Sequence, residues 1–235
     1  MESGMKRADY VPVYGKRPWL MSEDLPEVGG FFREHGSAFR LERRGLINFG
    51  KDPRIFWIEH GLCATFPTTG GLMPRFIGLF GRRTLLGGVR SMGHLGERME
   101  ITAVALADVS GFSIPAPIFR AWVSAERERE QAVMRSCIAK AECQLEGVLV
   151  NDLCTVPDRV LLAIEVLAQA AGVRLDGGNA ALPWDITVTE ISQIVHAERG
   201  MVSKAVSSLI AQGIVEKDGR RLVLKHGFLP HEHLH

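Results

Sequence analysis

Apolar and polar positions follow three different rhythms along this chain. Between Gly36 and Ile114 the apolar residues come in short segments, among them Ile55-Phe-Trp-Ile58, Phe76-Ile-Gly-Leu-Phe80 and Ile101-Thr-Ala-Val-Ala-Leu106, punctuated by Gly and Pro. That pattern predicts short strands and turns in an antiparallel sandwich or barrel. From Pro117 to Asp152 the period changes. Met134, Ile138, Ala141, Leu145 and Val148 are spaced four, three, four and three residues apart, with Lys140 and Glu142 as charged neighbours. This is a heptad seam, the pattern by which helices pair. A helix of about 30 residues would span ~45 Å, more than a small domain covers, so a seam between two copies is preferred over packing on the chain's own sheet.

The third rhythm starts near residue 155. Val156-Pro157-Asp158 places Pro at a helix start, and Val160, Leu161, Ile164 and Leu167 continue at helical spacing to Gly172. After a turn at Asp176-Gly-Gly-Asn179 and a lead-in at Leu182-Pro-Trp-Asp-Ile186, Thr187-Val-Thr-Glu190 forms a capping box. A first short helix then buries Ile191, Ile194 and Val195, and a break falls at His196-Ala197. A second helix buries Val202, Ala205, Val206 and Leu209, and Gly213 suits its C-cap. Ile214-Val215 and Leu222-Val223-Leu224 flank Lys217-Asp-Gly-Arg220, in which Asp218-Gly219 is a tight-hairpin signal. Helix, turn, helix and wing follow one another. On the second helix Arg199, Ser203 and Lys204 share the face left free by the apolar stripe. Arg and Lys can contact base edges in a major groove, while Ser and Thr can hold phosphates, so the segment is expected to bind DNA.

Charge and cysteine content narrow the picture. The 235 residues carry a formal net charge of only +1, so affinity for nucleic acid must come from a local patch. The four cysteines, Cys63, Cys137, Cys143 and Cys154, form no CxxC pair. That argues against a zinc site, an iron–sulfur cluster or a disulfide scaffold, and fits a reducing cytoplasm. No apolar run reaches membrane-spanning length and the start, MESGMKRADY, has no secretory hydrophobic region, so a soluble cytoplasmic protein with no membrane partner is expected. Residues 1–30 read as a polar, irregular extension with Pro12, Pro18 and Pro26, in which Trp19, Leu20 and Met21 provide an anchor.

Taken with ITVTEISQIVHAERGMVSKAVSSLIAQGIV, this order of parts resembles the Crp/Fnr superfamily of bacterial transcription regulators over about residues 30–228. The resemblance implies an α+β chain. A cyclic-nucleotide-binding-like β-roll (a double-stranded β-helix) occupies 31–116, a dimerisation helix 117–154, and a winged helix-turn-helix 155–235. His35-Gly36-Ser37, Ile58-Glu-His-Gly61 and Thr102–Asp108 match the roll's strands and turns. Arg199, Gly200, Ser203 and Lys204 fall on the family's DNA-reading positions, with Thr187, Thr189, Lys217 and Arg220 as backbone contacts. The family often has Arg where Lys204 stands and Glu where Gly200 stands, so the preferred half-site is expected to differ. His196 stands where Gly is usual and reads as a plain turn residue, since His tolerates positive φ.

The effector site implied by the resemblance involves Gly87, Gly88, Arg90, Arg98, Met99 and Glu100. Relatives that bind cyclic AMP carry Gly-Glu at Gly87-Gly88 and Arg-Ser or Arg-Thr at Met99-Glu100. A carboxylate in place of the phosphate-binding pair repels the ligand, so cyclic AMP is not expected and a small organic effector is. The alternative is a constitutive dimeric DNA-binding protein with an empty sensor domain. An N-terminal cysteine cluster is missing, and His60, Cys63 and His94 are too scattered to argue for haem or for an enzyme's nucleophile and base. No catalytic residue, metal site or resident cofactor is expected. The tail residues His226, His231, His233 and His235 read as a solvated end. Oxidation of Cys137, Cys143 or Cys154 could alter helix pairing, or these thiols could serve as small buried hydrophobes. The expected partners are a roughly palindromic DNA duplex, a second copy of the chain and RNA polymerase.

Overall fold

The computed structural model describes residues 10–49, 54–67, 74–87, 101–172, 179–182 and 184–225. Gly88, Arg90, Arg98, Met99 and Glu100, together with His94 and the His-rich tail, lie outside them. Two compact units are present: Leu20–Cys143, and Met1–Trp19 together with Gln144–His235.

In the first unit a short helix, α1 (Pro26–His35), precedes eight strands: β1 (Ser37–Leu41), β2 (Leu46–Asn48), β3 (Arg54–His60), β4 (Cys63–Pro67), β5 (Gly78–Phe80), β6 (Thr84–Leu86), β7 (Ile101–Ala105) and β8 (Val109–Pro115). They form two antiparallel four-stranded sheets, ordered β1-β8-β3-β6 and β2-β7-β4-β5. Ile58, Cys63, Phe80, Leu86, Ala103, Ala105 and Val109 come from both sheets and share one core, with Phe56 packed against it. The other face of β3 is covered too. Ile55 and Trp57 join Val28 and Phe32 of α1, and Ala116, Phe119 and Val123 of α2 (Ala116–Ser124), in a second core. Successive strand residues point to opposite faces, so a strand buried on both sides reads as a continuous apolar run.

Two sequence expectations change here. The extension 1–30 is not wholly irregular, because Pro26 opens α1 and Val28 and Phe32, one turn apart, bury its inner side. Residues 117–154 are not one helix either. α2 ends at Ser124 and the long helix α3 runs from Arg127 to Leu153, 27 residues. Arg129 fixes the corner: its guanidinium donates to the Trp122 carbonyl at 2.6 Å, lies 4.2 Å from the centre of the Trp122 ring and pairs with Glu126 at 2.8 Å.

The inner side of α3 carries an ion pair. Asp24 and Lys140 are both buried, and the Lys140 Nζ donates to Asp24 Oδ2 at 2.5 Å. The same carboxylate accepts from the Leu85 backbone N–H at 2.6 Å and from the Ser136 hydroxyl. Lys140 also donates to the Leu85 carbonyl at 3.4 Å. Asp24 thereby ties the segment before α1 to both β6 and α3.

All four cysteines are free, with Cys63, Cys143 and Cys154 buried. Burial pushes the Cys63 thiol up to about 12, and raises Cys137 and Cys154 above the ordinary thiol range. Thiols held protonated are poor nucleophiles, and Cys63 and Cys143 pack within the core of the roll.

The second unit contains α4 (Val156–Ala170), β9 (Ala180–Ala181), α5 (Val188–Ile194), α6 (Arg199–Ala211), β10 (Val215–Asp218) and β11 (Arg221–Leu224). Every residue of α4 from Val160 to Ala168 is buried. The strands form a three-stranded antiparallel sheet, β10-β11-β9. Asp218 pairs with Arg221, so the two loop residues of the hairpin are Gly219 and Arg220 rather than Asp218 and Gly219. Only Gly219, at +61°, has positive φ, the pattern of a type II′ turn, where Gly takes the first loop position.

Candidate DNA-binding site

The reading face is built outward from α5. Thr187 Oγ1 accepts from the Glu190 N–H at 3.1 Å, and Glu190 Oε2 accepts from the Thr187 N–H at 2.7 Å, closing the capping box. The Thr187 hydroxyl proton is committed to Glu190 as well, at 2.8 Å, which leaves it no proton for a phosphate. Ile191, Ile194 and Val195 are fully buried beneath. The chain then turns at His196, whose φ of +49° is left-handed, and the Ala197 N–H returns to the Ser192 carbonyl at 3.2 Å. Two side chains that the sequence did not single out hold this turn. Asn151 Nδ2 donates to the Ile194 carbonyl at 3.2 Å, and an Arg159 guanidinium nitrogen donates to the Val195 carbonyl at 3.1 Å.

Helix α6 follows. Val202, Ala205, Val206 and Leu209 are buried, so α6 turns the exposed Arg199, Gly200, Ser203 and Lys204 outward. The helix ends in a Schellman arrangement: Gly213 has φ +72°, its N–H donates to Ile210, and the Ile214 N–H donates to Leu209, both at 3.0 Å. Lys217 on β10 and Arg220 in the hairpin loop are exposed, and Thr189 is half-exposed on the first turn of α5. Ion pairs in this unit tie Arg221 to Asp185 at 3.9 Å, and Lys225 to Glu216. The outward face of α6 thus offers cationic donors on a rigid helix, geometry suited to base edges and phosphates.

The heptad residues are also exposed. Met134, Ile138, Leu145 and Val148 are 49, 53, 48 and 58% exposed, and Ala141 lies with them. The buried side of α3 is a different stripe: Val133, Lys140, Cys143, Glu146 and Val150.

Of the effector residues, Gly87 alone is described; it leaves β6 at φ +88°, where a Cβ would lie 3.1 Å from the Phe49 ring. Among the described residues no group of three His, Cys, Asp or Glu side chains could hold a metal ion, and no helix is long and apolar enough to cross a membrane.

No family model matches the chain. A curated relative, the CRP-like cAMP-activated global transcriptional regulator of Mycobacterium tuberculosis (strain CDC 1551 / Oshkosh), is 25% identical over 126 residues, which cover 52% of this chain and 54% of that protein. The chain therefore spans about half the length of the curated relative it matches. Among solved structures, FixK2 from Bradyrhizobium japonicum superposes with a TM-score of 0.65 at 15% identity, over 80% of this chain and 92% of that one. CLP of Xanthomonas campestris, described as a c-di-GMP responsive global regulator, gives a TM-score of 0.66 at 16% identity over 86% and 99%. With a β-roll, a long helix and a winged helix-turn-helix in that order, the chain has the fold of the Crp/Fnr transcription regulators, and its sequence resembles theirs.

Proposed function

We propose that this protein is a homodimeric, sequence-specific DNA-binding regulator of transcription in a bacterial cytoplasm, controlled by a small effector other than cyclic AMP. The observation that carries the reading is the outward face of α6, where Arg199, Gly200, Ser203 and Lys204 are exposed on a helix whose other side is buried. Arg199 and Lys204 read base edges. Ser203, Thr189, Lys217 and Arg220 hold phosphates, and Thr187 serves through the cap it builds. Two copies joined along Met134, Ile138, Ala141, Leu145 and Val148 set their α6 helices about one DNA turn apart, ~34 Å, on a roughly palindromic site. RNA polymerase is the partner through which the bound dimer acts.

Selection of bound duplexes from a random pool tests this reading, and recovery of no enriched palindrome would sink it. On the selected operator, Lys204→Ala is expected to reduce discrimination among half-sites by ~1–3 kcal/mol, whereas Lys217→Ala weakens all sequences alike and lowers the salt slope by about 1. An unchanged ranking of operators in Lys204→Ala would remove its base-reading role.

The effector reading rests on Met99-Glu100 and Gly87-Gly88, which stand where cyclic-AMP-binding relatives carry the groups that hold the phosphate and ribose. Arg90 and Arg98 are the cations that this stretch of sequence offers to another ligand. Calorimetric titration with cyclic AMP is expected to give no binding heat, and native mass spectrometry of freshly purified protein to show a retained small molecule. A protein that is empty yet binds its operator at full affinity would favour the constitutive alternative.

A further inference from the structure

Glu146, on the buried side of α3, is 0% exposed. Its carboxylate accepts from the Tyr10 phenol, from the Val13 N–H at 3.1 Å and from the Tyr14 N–H at 2.9 Å. A buried carboxylate stripped of such donors is costly, so the segment and the helix hold each other. Burial beside that carboxylate raises the Tyr10 phenol far above its ordinary value, which keeps it protonated and donating. The neighbouring Gly147 makes the second attachment. The Trp19 indole is 2% exposed, and a Cβ on Gly147 would come within 2.3 Å of its Cδ1. Residues 10–19 are thus fastened at both ends to one turn of α3.

About one and a half helical turns further on, Asn151 donates to the Ile194 carbonyl at 3.2 Å. That carbonyl ends α5, two residues before the left-handed His196 that aims α6. A 3.2 Å bond leaves little slack, because a displacement of a few tenths of an ångström takes it beyond useful length.

We propose that residues 10–19 form a strap that sets the turn between α5 and α6, with Glu146 as a positioning residue acting through α3 and Asn151. The benefit to DNA binding rests on the function proposed above, whereas the coupling itself is a property of the fold. Displacing the strap frees the end of α3, slackens the Asn151 bond and lets the turn fluctuate.

The test uses the full chain with Tyr10→Phe, with Gly147→Ala, and with residues 1–19 deleted. Gly147→Ala is diagnostic, since Ala is the better helix former and should only strengthen an isolated helix, yet here it meets Trp19. Amide hydrogen exchange at Tyr14 reports release of the strap in the two point variants, at Val195 and Ala197 the state of the turn, and at Glu216 and Val223 the hairpin. The expected result is exchange at Val195 and Ala197 faster by at least about tenfold with the hairpin unchanged. Affinity for the selected operator falls by about the same factor, with an unchanged salt slope because no phosphate contact is lost. Turn amides that stay protected in the deletion overturn the proposal, and so does a rise at turn and hairpin alike, which would make the strap a general support of the fold. A faster turn in a protein that selects no DNA would keep the coupling and remove the DNA reading.

Discussion

Asp24→Ala is expected to cost the Leu20–Cys143 unit about 3–5 kcal/mol in urea unfolding, the range for breaking one partner of a buried ion pair. The substitution removes the acceptor of three donors at once: the Leu85 N–H, the Ser136 hydroxyl and the Lys140 ammonium, which keeps only its long bond to the Leu85 carbonyl. Lys140→Met should cost less, because the Asp24 carboxylate would keep its bonds from Leu85 and Ser136 and the methionine stem fills the same space. The pair Asp24→Leu with Lys140→Met should recover part of the loss but not all of it, since the Leu85 N–H still lacks an acceptor, a deficit of about 1–3 kcal/mol. Equal costs for the two single variants would mean that Asp24 serves only its ion pair. The order of the two midpoints therefore reports whether the carboxylate also holds β6.

Ile138→Lys is expected to turn the proposed dimer into a folded monomer, seen by light scattering at micromolar concentration, and to lower operator affinity by at least about a hundredfold. The affinity loss follows from linkage, because joining two modules gains roughly 10²–10⁴ over either alone and a monomer forfeits it. In a two-fold interface each substitution acts twice, so two lysines would be buried in one seam. Ile138 is 53% exposed within the chain, so thermal unfolding of the separated protomer should barely change. Retention of the dimer by Ile138→Lys and Leu145→Lys together would move the interface elsewhere.

Legibility of the sequence tracked how locally each feature is determined. The second half was readable in detail because its signals are contiguous: Thr187 and Glu190 are three residues apart, and Gly213 sits at the end of the α6 stripe it caps. The β-roll was harder. Alternation fails in Ile55-Phe-Trp-Ile58 because Phe56 and Ile58 enter the roll while Ile55 and Trp57 meet α1 and α2, so neither face is polar. The corner before α3 carries no Gly or Pro at Ser124-Ala125-Glu126, and depends on an arginine contacting a carbonyl seven residues away. The hairpin loop was displaced by one residue because Asp-Gly and Gly-Arg are both acceptable turn pairs, and strand register decides between them. What no local pattern could reveal were the long-range polar contacts of Asp24, Glu146 and Asn151, whose partners lie up to 136 residues away. One clue was present. Val133, Cys143 and Val150 form a second apolar stripe on the side of α3 away from the heptad seam, and Lys140 within such a stripe signals a buried counter-charge.

Gly200 occupies the first turn of α6 with nothing within 4 Å of the place where a Cβ would stand. Its φ is not positive, so any side chain fits there without strain. If the proposed reading surface binds DNA, a side chain at this position is expected to change operator preference while every packing contact of the winged helix stays as it is. A set of variants at position 200 is expected to differ in preferred half-site with no loss of stability, because almost every residue but proline is a better helix former than glycine.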